Sequence, residues 1–153
     1  MGENENLKVV KDTYLAYRDL DIPTLLNCLT DDVMWFSIGP PEIIPTAGIW
    51  FGRGQVEHYF ATLQGTEEVQ SFNPEEFIAE GDKVVALGHL QRNVKSTGSL
   101  IESPWIHIFT LREGKISEFR SFYDTAVAVA ALADIQSRPS NMGAANALMS
   151  TDL

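Results

Sequence analysis

The stretch "SPWIHIFTLREGKISEFRSFYDT" (residues 103–125) sets Trp105, His107 and Phe109 two apart, turns at "REG", and returns through Phe119, Ser121 and Tyr123. A period of two on both sides of a short glycine-containing turn predicts a β-hairpin. A three-residue loop ending in Gly114 matches a type I turn closed by a glycine bulge. That loop pairs Leu111 with Lys115, so His107 faces Phe119 and Trp105 faces Ser121. Glu118, Arg120 and Asp124 then fall on the opposite face, away from the aromatic one.

The same alternation extends upstream. "SFNPEEFIAE" (71–80), "KVVALGHLQRNV" (83–94) and "LIESPWIHIFTL" (100–111) read as successive strands joined by short turns. A three-residue loop at Ser96–Gly98 pairs Lys95 with Ser99 and brings His89 opposite Trp105, diagonal to His107. A two-residue loop at Thr97 and Gly98 turns His89 to the other face instead, because one residue of slip inverts a strand. With the first register, the concave wall is Val85, Leu87, His89, Gln91, Trp105, His107, Phe109, Phe119, Ser121 and Tyr123.

Helices precede the strands. Leu7, Val10, Tyr14 and Tyr17 make a helical stripe within residues 4–19. Asp21 caps a short second helix with Pro23 in its first turn, and Val56, Tyr59, Phe60 and Leu63 line a third at 54–64. His58 falls off that stripe. Between the second and third helices, "DDVMWFSIG" reads as a strand, and "GPPEIIPTAGIWFGRG" as a loop that is long and unusually apolar. Asp124 caps a last helix, "TAVAVAALADI". Helices first and a meander afterwards argue for α+β, with three N-terminal helices on the concave face of a curved antiparallel sheet. Tyr14 and Tyr17 close the cup from the first helix, with Trp35 and the 38–51 loop at its rim.

With 153 residues, 44% hydrophobic, the chain reads as one domain over 1–136, able to bury roughly 70% of its unfolded surface. The tail 137–153, small and polar, is either a flexible end or an arm on a partner subunit. A net charge of −10 makes nucleic acid and anionic membrane poor partners. No apolar run approaches a membrane span and the N-terminus does not resemble a signal peptide, so a cytoplasmic location is expected. Cys28, the single cysteine, sits in an apolar helical context and reads as core. The third and fourth strands are apolar on both faces, which a sheet with one solvated face would not be. A second copy covering the outer face makes a homodimer the expected state.

Four stretches, "YRDLDIPTLLNCLTDDVMWFSIGP", "AGIWFGRGQVEHYF", "FIAEGDKVVALG" and "TGSLIESPWIHIFTLREGKISEFRSFYDTA", carry a resemblance over about residues 6–133. The chain resembles the SnoaL-like, ketosteroid isomerase-related branch of the nuclear transport factor 2-like superfamily. That resemblance implies a cone-shaped, cystatin-like α+β barrel, usually dimeric. Its pocket hosts isomerases, polyketide cyclases, epoxide hydrolases, dehydratases and plain binders. The isomerases' carboxylate base aligns with Ser37, their protonated aspartate with His107, and the cyclases' aspartate with Ser121. The epoxide hydrolase set has no match. Scytalone dehydratase is similar in grouping two histidines, helix tyrosines and a last-strand serine, although "DTY" (12–14) does not reproduce its adjacent Tyr-Asp pair.

His107 titrates near neutrality when unperturbed, and burial between aromatics favours its neutral form. It is either a proton-transferring group or a packed wall residue. The expected catalytic set is His107, Tyr14 and His89, with a helix tyrosine stabilising a developing oxyanion. Tyr17, Trp35, Leu87, Gln91, Trp105, Phe109, Phe119, Ser121 and Tyr123 complete the substrate wall. No metal-ligand spacing links the histidines, so neither metal nor cofactor is expected. The expected ligand is a small hydrophobic molecule bearing a carbonyl or hydroxyl. Isomerase, dehydratase or cyclase chemistry, a non-catalytic binder and an interaction scaffold are the competing readings.

Overall fold

In this computed structural model, which describes residues 2–133, Glu3–Arg18 form helix α1. Glu5 reaches back to the Gly2 backbone N–H at 3.1 Å, and Glu3 and Glu5 set negative charge against the helix N-terminus. Its most buried residues are Asn6, Val10, Thr13 and Ala16, so the buried face is rotated from the expected stripe; Leu7, Tyr14 and Tyr17 flank it, half-buried. α2 (Ile22–Asn27) begins at Asp21, whose carboxylate accepts from the Thr24 N–H at 3.2 Å, as its capping role requires.

The strands are β1 (Leu29–Ser37), β2 (Gly48–Phe51), β3 (Glu67–Glu80), β4 (Lys83–Val94), β5 (Leu100–Arg112) and β6 (Lys115–Tyr123). α3 (Gly52–Thr66) separates β2 from β3, and α4 (Thr125–Ala133) follows β6 with Asp124 bonding the Val127 N–H. One curved, unclosed sheet runs in the order β2-β1-β6-β5-β4-β3, antiparallel except where β1 lies parallel to β6. α1 packs over β3, β4 and β6, and α3 over β1. The α+β class therefore holds. The tail at 137–153 and the domain limit at 136 lie outside the described residues. Among those residues no helix is long and apolar enough to cross a membrane.

β2 is an element that the sequence reading missed, because it lies inside the Pro- and Gly-rich loop. The loop's apolar character has a plain cause. Residues 40–47 fold on themselves through Ile44 N–H to Pro40 O and Ala47 N–H to Ile44 O, and drive Ile44 into the core with no exposed surface.

Register decides which side chains meet. At "REG" the turn is the two residues Glu113 and Gly114, both with positive φ, and Arg112 pairs with Lys115. A bulge between Thr110 and Leu111 shifts the ladder once more. His107 therefore faces Ser121, and Trp105 faces Tyr123, two positions from the expected pairs. A shift of two preserves the face, so the aromatic set stays inward.

The β4–β5 turn differs by one, and this inverts a strand. Val94 bonds the Ser99 carbonyl across a four-residue loop, closed by Gly98 N–H to Val94 O with Gly98 at φ 74. His89 pairs with Pro104 and Gly88 with Trp105. Leu87, His89 and Gln91, together with Val85, thus lie on the outer face, correcting their expected place in the cavity wall. The inward residues of β4 are Val84, Ala86, Gly88, Leu90 and Arg92. Gly88 is there for space: a methyl group at its α-carbon would collide with the Trp105 indole and the Asn73 carbonyl. Replacing Gly88 with Ala is expected to destabilise the fold by about 1–3 kcal/mol or more through overpacking, measured as a shift in the urea denaturation midpoint.

Candidate functional site

The inward faces of β1, β3, β4, β5 and β6 and the helices α1, α2 and α3 border a cavity of about 50 Å³. That is room for a few waters or one compact ligand. Tyr14, Tyr17, Trp35, His107, Phe109, Phe119, Ser121 and Tyr123 all border it, as the sequence suggested. Trp105 does not border it. The indole is buried behind the cavity, stacked 4.1 Å from His107 and 4.8 Å from Phe72, and holds both rings from beneath.

His107 and Tyr14 form the polar centre. β5 presents His107 inward between Trp105 and Phe109, and α1 brings Tyr14 down on it with the phenol oxygen 2.7 Å from Nδ1. Burial holds the His107 imidazole well below its ordinary 6.5, and the positive charge of Arg92 acts in the same direction. Burial likewise lifts Tyr14 well above 10. Both groups are therefore neutral at physiological pH. Either Tyr14 donates to Nδ1 and leaves Nε2 as an N–H donor, or Nδ1–H donates to the phenol oxygen and leaves Nε2 a lone pair.

His89 is not part of this group. Its Nε2 lies 3.7 Å from the Glu102 carboxylate on the outer face, with the side chain 37% exposed. Ser37 and Ser121, next to each other across the β1–β6 pairing, both border the cavity. His58 is exposed, beside Trp50. No group of three His, Cys, Asp or Glu residues suited to a metal occurs among the described residues.

Sequence reasoning missed the cavity's charged element. Arg92 borders it with its side chain only 12% exposed, and its Nη1 lies 3.5 Å from Glu67 Oε1, which is 3% exposed. Burial works against the guanidinium charge, but Tyr17, Glu67, Tyr59 and Tyr123 more than offset it. Burial raises Glu67 despite the attraction of Arg92, and pushes the fully enclosed Tyr59 up to about 12. The available signal was parity: with the turn at 95–98 counted as four residues, Arg92 joins Leu90 on the inward face.

The depressed His107 pKa links stability to pH. Between its folded value and about 6.5 the unfolded chain binds more protons, so stability rises with pH there and is lost as pH falls below about 6.5. Glu67, raised by burial, acts in the opposite sense, but is common to wild type and variant. The melting temperature of the wild type should fall more steeply from pH 7 to pH 5 than that of His107→Gln; parallel slopes would contradict a buried neutral imidazole.

The sequence matches the SnoaL-like domain over residues 10–119. A search of curated proteins finds no match. Among solved structures, an NTF2-like protein from Burkholderia xenovorans LB400 superposes with a TM-score of 0.79 at 29% identity, covering 86% of this chain and 98% of that one. TerC, co-crystallised with polyporic acid, gives 0.74 at 24% identity, over 84% and 98%. A protein of ketosteroid isomerase-like fold from Catenulispora acidiphila DSM 44928, in complex with trimethylamine, gives 0.68 at 16%, over 82% and 92%. The match covers well over half of the sequence, and the curved sheet under its helices agrees with it: the chain belongs to the SnoaL-like domain family.

Proposed function

We propose that this chain is a small-molecule pocket protein that moves a proton on a compact, largely apolar carbonyl or hydroxyl compound, by isomerase, dehydratase or cyclase-type chemistry without a cofactor. The observation that carries this reading is the neutral imidazole of His107 joined to the Tyr14 phenol inside an apolar cup. In the tautomer where Nδ1–H donates to Tyr14, the Nε2 lone pair takes a proton from carbon alpha to a carbonyl. The electron pair moves onto the carbonyl oxygen, and a phenol O–H steadies the enolate. The low pKa weakens the base in the first half of this cycle and favours the second. It keeps the base unprotonated, and it makes the resulting imidazolium a strong acid that returns its proton to carbon or to a leaving hydroxyl.

The second reading is a binder with no chemistry. It is favoured by Ser37 and Ser121, which stand where the resemblance places carboxylate bases. Exchange of the alpha protons of cyclohexanone and cyclohexenone with deuterium oxide, followed by NMR, separates the two. The wild type should exceed the buffer rate, and His107→Gln and Tyr14→Phe should each lose about 10²-fold of that enhancement. Wild-type exchange at the buffer rate would leave the binder.

The outer sheet face supports the homodimer. Ile49 and Phe51 on β2, Ile78 on β3 and Ile106 on β5 are 42–58% exposed on it, and Phe36 lies against Phe122 between them. Such a face is costly to leave in water. Sedimentation velocity at micromolar concentration should give a dimer; a monomer would overturn the two-fold packing.

A further inference from the structure

Arg92 does not belong in a purely apolar cup. It stands two residues beyond Leu90 on the inward face of β4, and a cation removed from water needs close, well-formed partners. Its partners here are incomplete. The Glu67 contact at 3.5 Å is long for a charge-assisted hydrogen bond, and Nε is shielded from solvent with no hydrogen-bond partner. The Phe72 ring lies 5.9 Å away, which suits a cation but bonds none of its donors.

The surroundings are arranged asymmetrically. Tyr17, Tyr59 and Tyr123 border the cavity with Arg92, whereas Glu67 does not. The carboxylate lies outside the cavity lining, so a molecule in the cup meets the positive group and three tyrosines. All three phenols have raised pKa values with burial as the main cause, and so remain proton donors. A cation flanked by neutral O–H donors is complementary to one ligand feature: an oxygen carrying negative charge.

We propose that the cavity selects a small organic anion, a carboxylate or an ionised enol, whose charged oxygen docks on Arg92 and the neighbouring phenols while its apolar body extends toward Tyr14 and His107. This rests on the cavity being a ligand site, and not on its being catalytic. The substrate class of the proposed chemistry thereby narrows from neutral carbonyl compounds to acids carrying an apolar ring or chain.

Calorimetric titration at pH 7.5 tests this with benzoate and cyclohexanecarboxylate against benzamide and cyclohexanecarboxamide, pairs that differ mainly in charge. Wild type should bind each acid at least about tenfold more tightly than its amide. The double variant Arg92→Gln/Glu67→Gln removes both charges together, and should bind acid and amide alike while keeping its near-UV circular dichroism. Amides binding as well as acids, binding of neither, or a preference that survives in the folded double variant would overturn the proposal. Crystals of the wild type soaked in 4-bromobenzoate give an answer that needs no variant. A carboxylate within hydrogen-bond distance of Arg92 supports the assignment, and one aimed at Tyr14 and His107 or at solvent overturns it. Amide binding without acid binding would leave the pocket reading standing, and acid binding without ketone exchange would leave the anion site standing.

Discussion

The hydrogen bond between Tyr14 and His107 is the constraint on which the rest of this architecture depends. It is the polar join between the first helix and the middle of the sheet, made among aromatic rings at the cavity wall. A polar pair in such surroundings contributes modestly when formed and costs far more when one partner is lost. The pair therefore fixes how α1 lies over β5, and with it how much space remains beneath the helix. Aromatic packing supports it from outside: Trp105 stacks behind the imidazole, and Trp35 stacks on Phe119 at 3.9 Å. Fold and site are thus stabilised by the same contacts, and the chemistry of the cup follows from burial already required for the core.

Much of this was legible in the residues, for reasons that differ from element to element. The α+β class and the helix caps at Asp21 and Asp124 follow from periodicity and local hydrogen bonding, which act within a few residues. The inward set on β5 and β6 was also legible, though by cancellation: the tighter turn at Glu113–Gly114 and the bulge at Thr110–Leu111 each slip the ladder by one, and two slips restore the face. β4 had no second slip. Counting three residues instead of four at 95–98 put His89, Leu87 and Gln91 in the cup and concealed Arg92, since periodicity cannot say which side of a strand apolar on both faces is the inner one. β2 escaped notice because glycine and proline read as loop. The buried face of α1 was misjudged because Asn6 and Thr13 carry polar atoms and still face inward.

What emerges is a cavity with two polar regions of different character. One is neutral and suited to moving protons; the other is charged and suited to holding an anion. They communicate electrostatically, since the Arg92 charge contributes to the low basicity of His107. Any ligand that neutralises the guanidinium would relax that effect and make the imidazole a better proton acceptor.

The four-residue connection between β4 and β5 has a consequence for how such pockets diversify. Its length helps to set which half of β4 looks inward. Loss or gain of a single residue there would turn the strand over, withdrawing a guanidinium and delivering an imidazole and an amide in its place, with no codon for any lining residue altered. A scaffold of this kind therefore has access to abrupt changes of ligand preference through one short deletion or insertion in this turn.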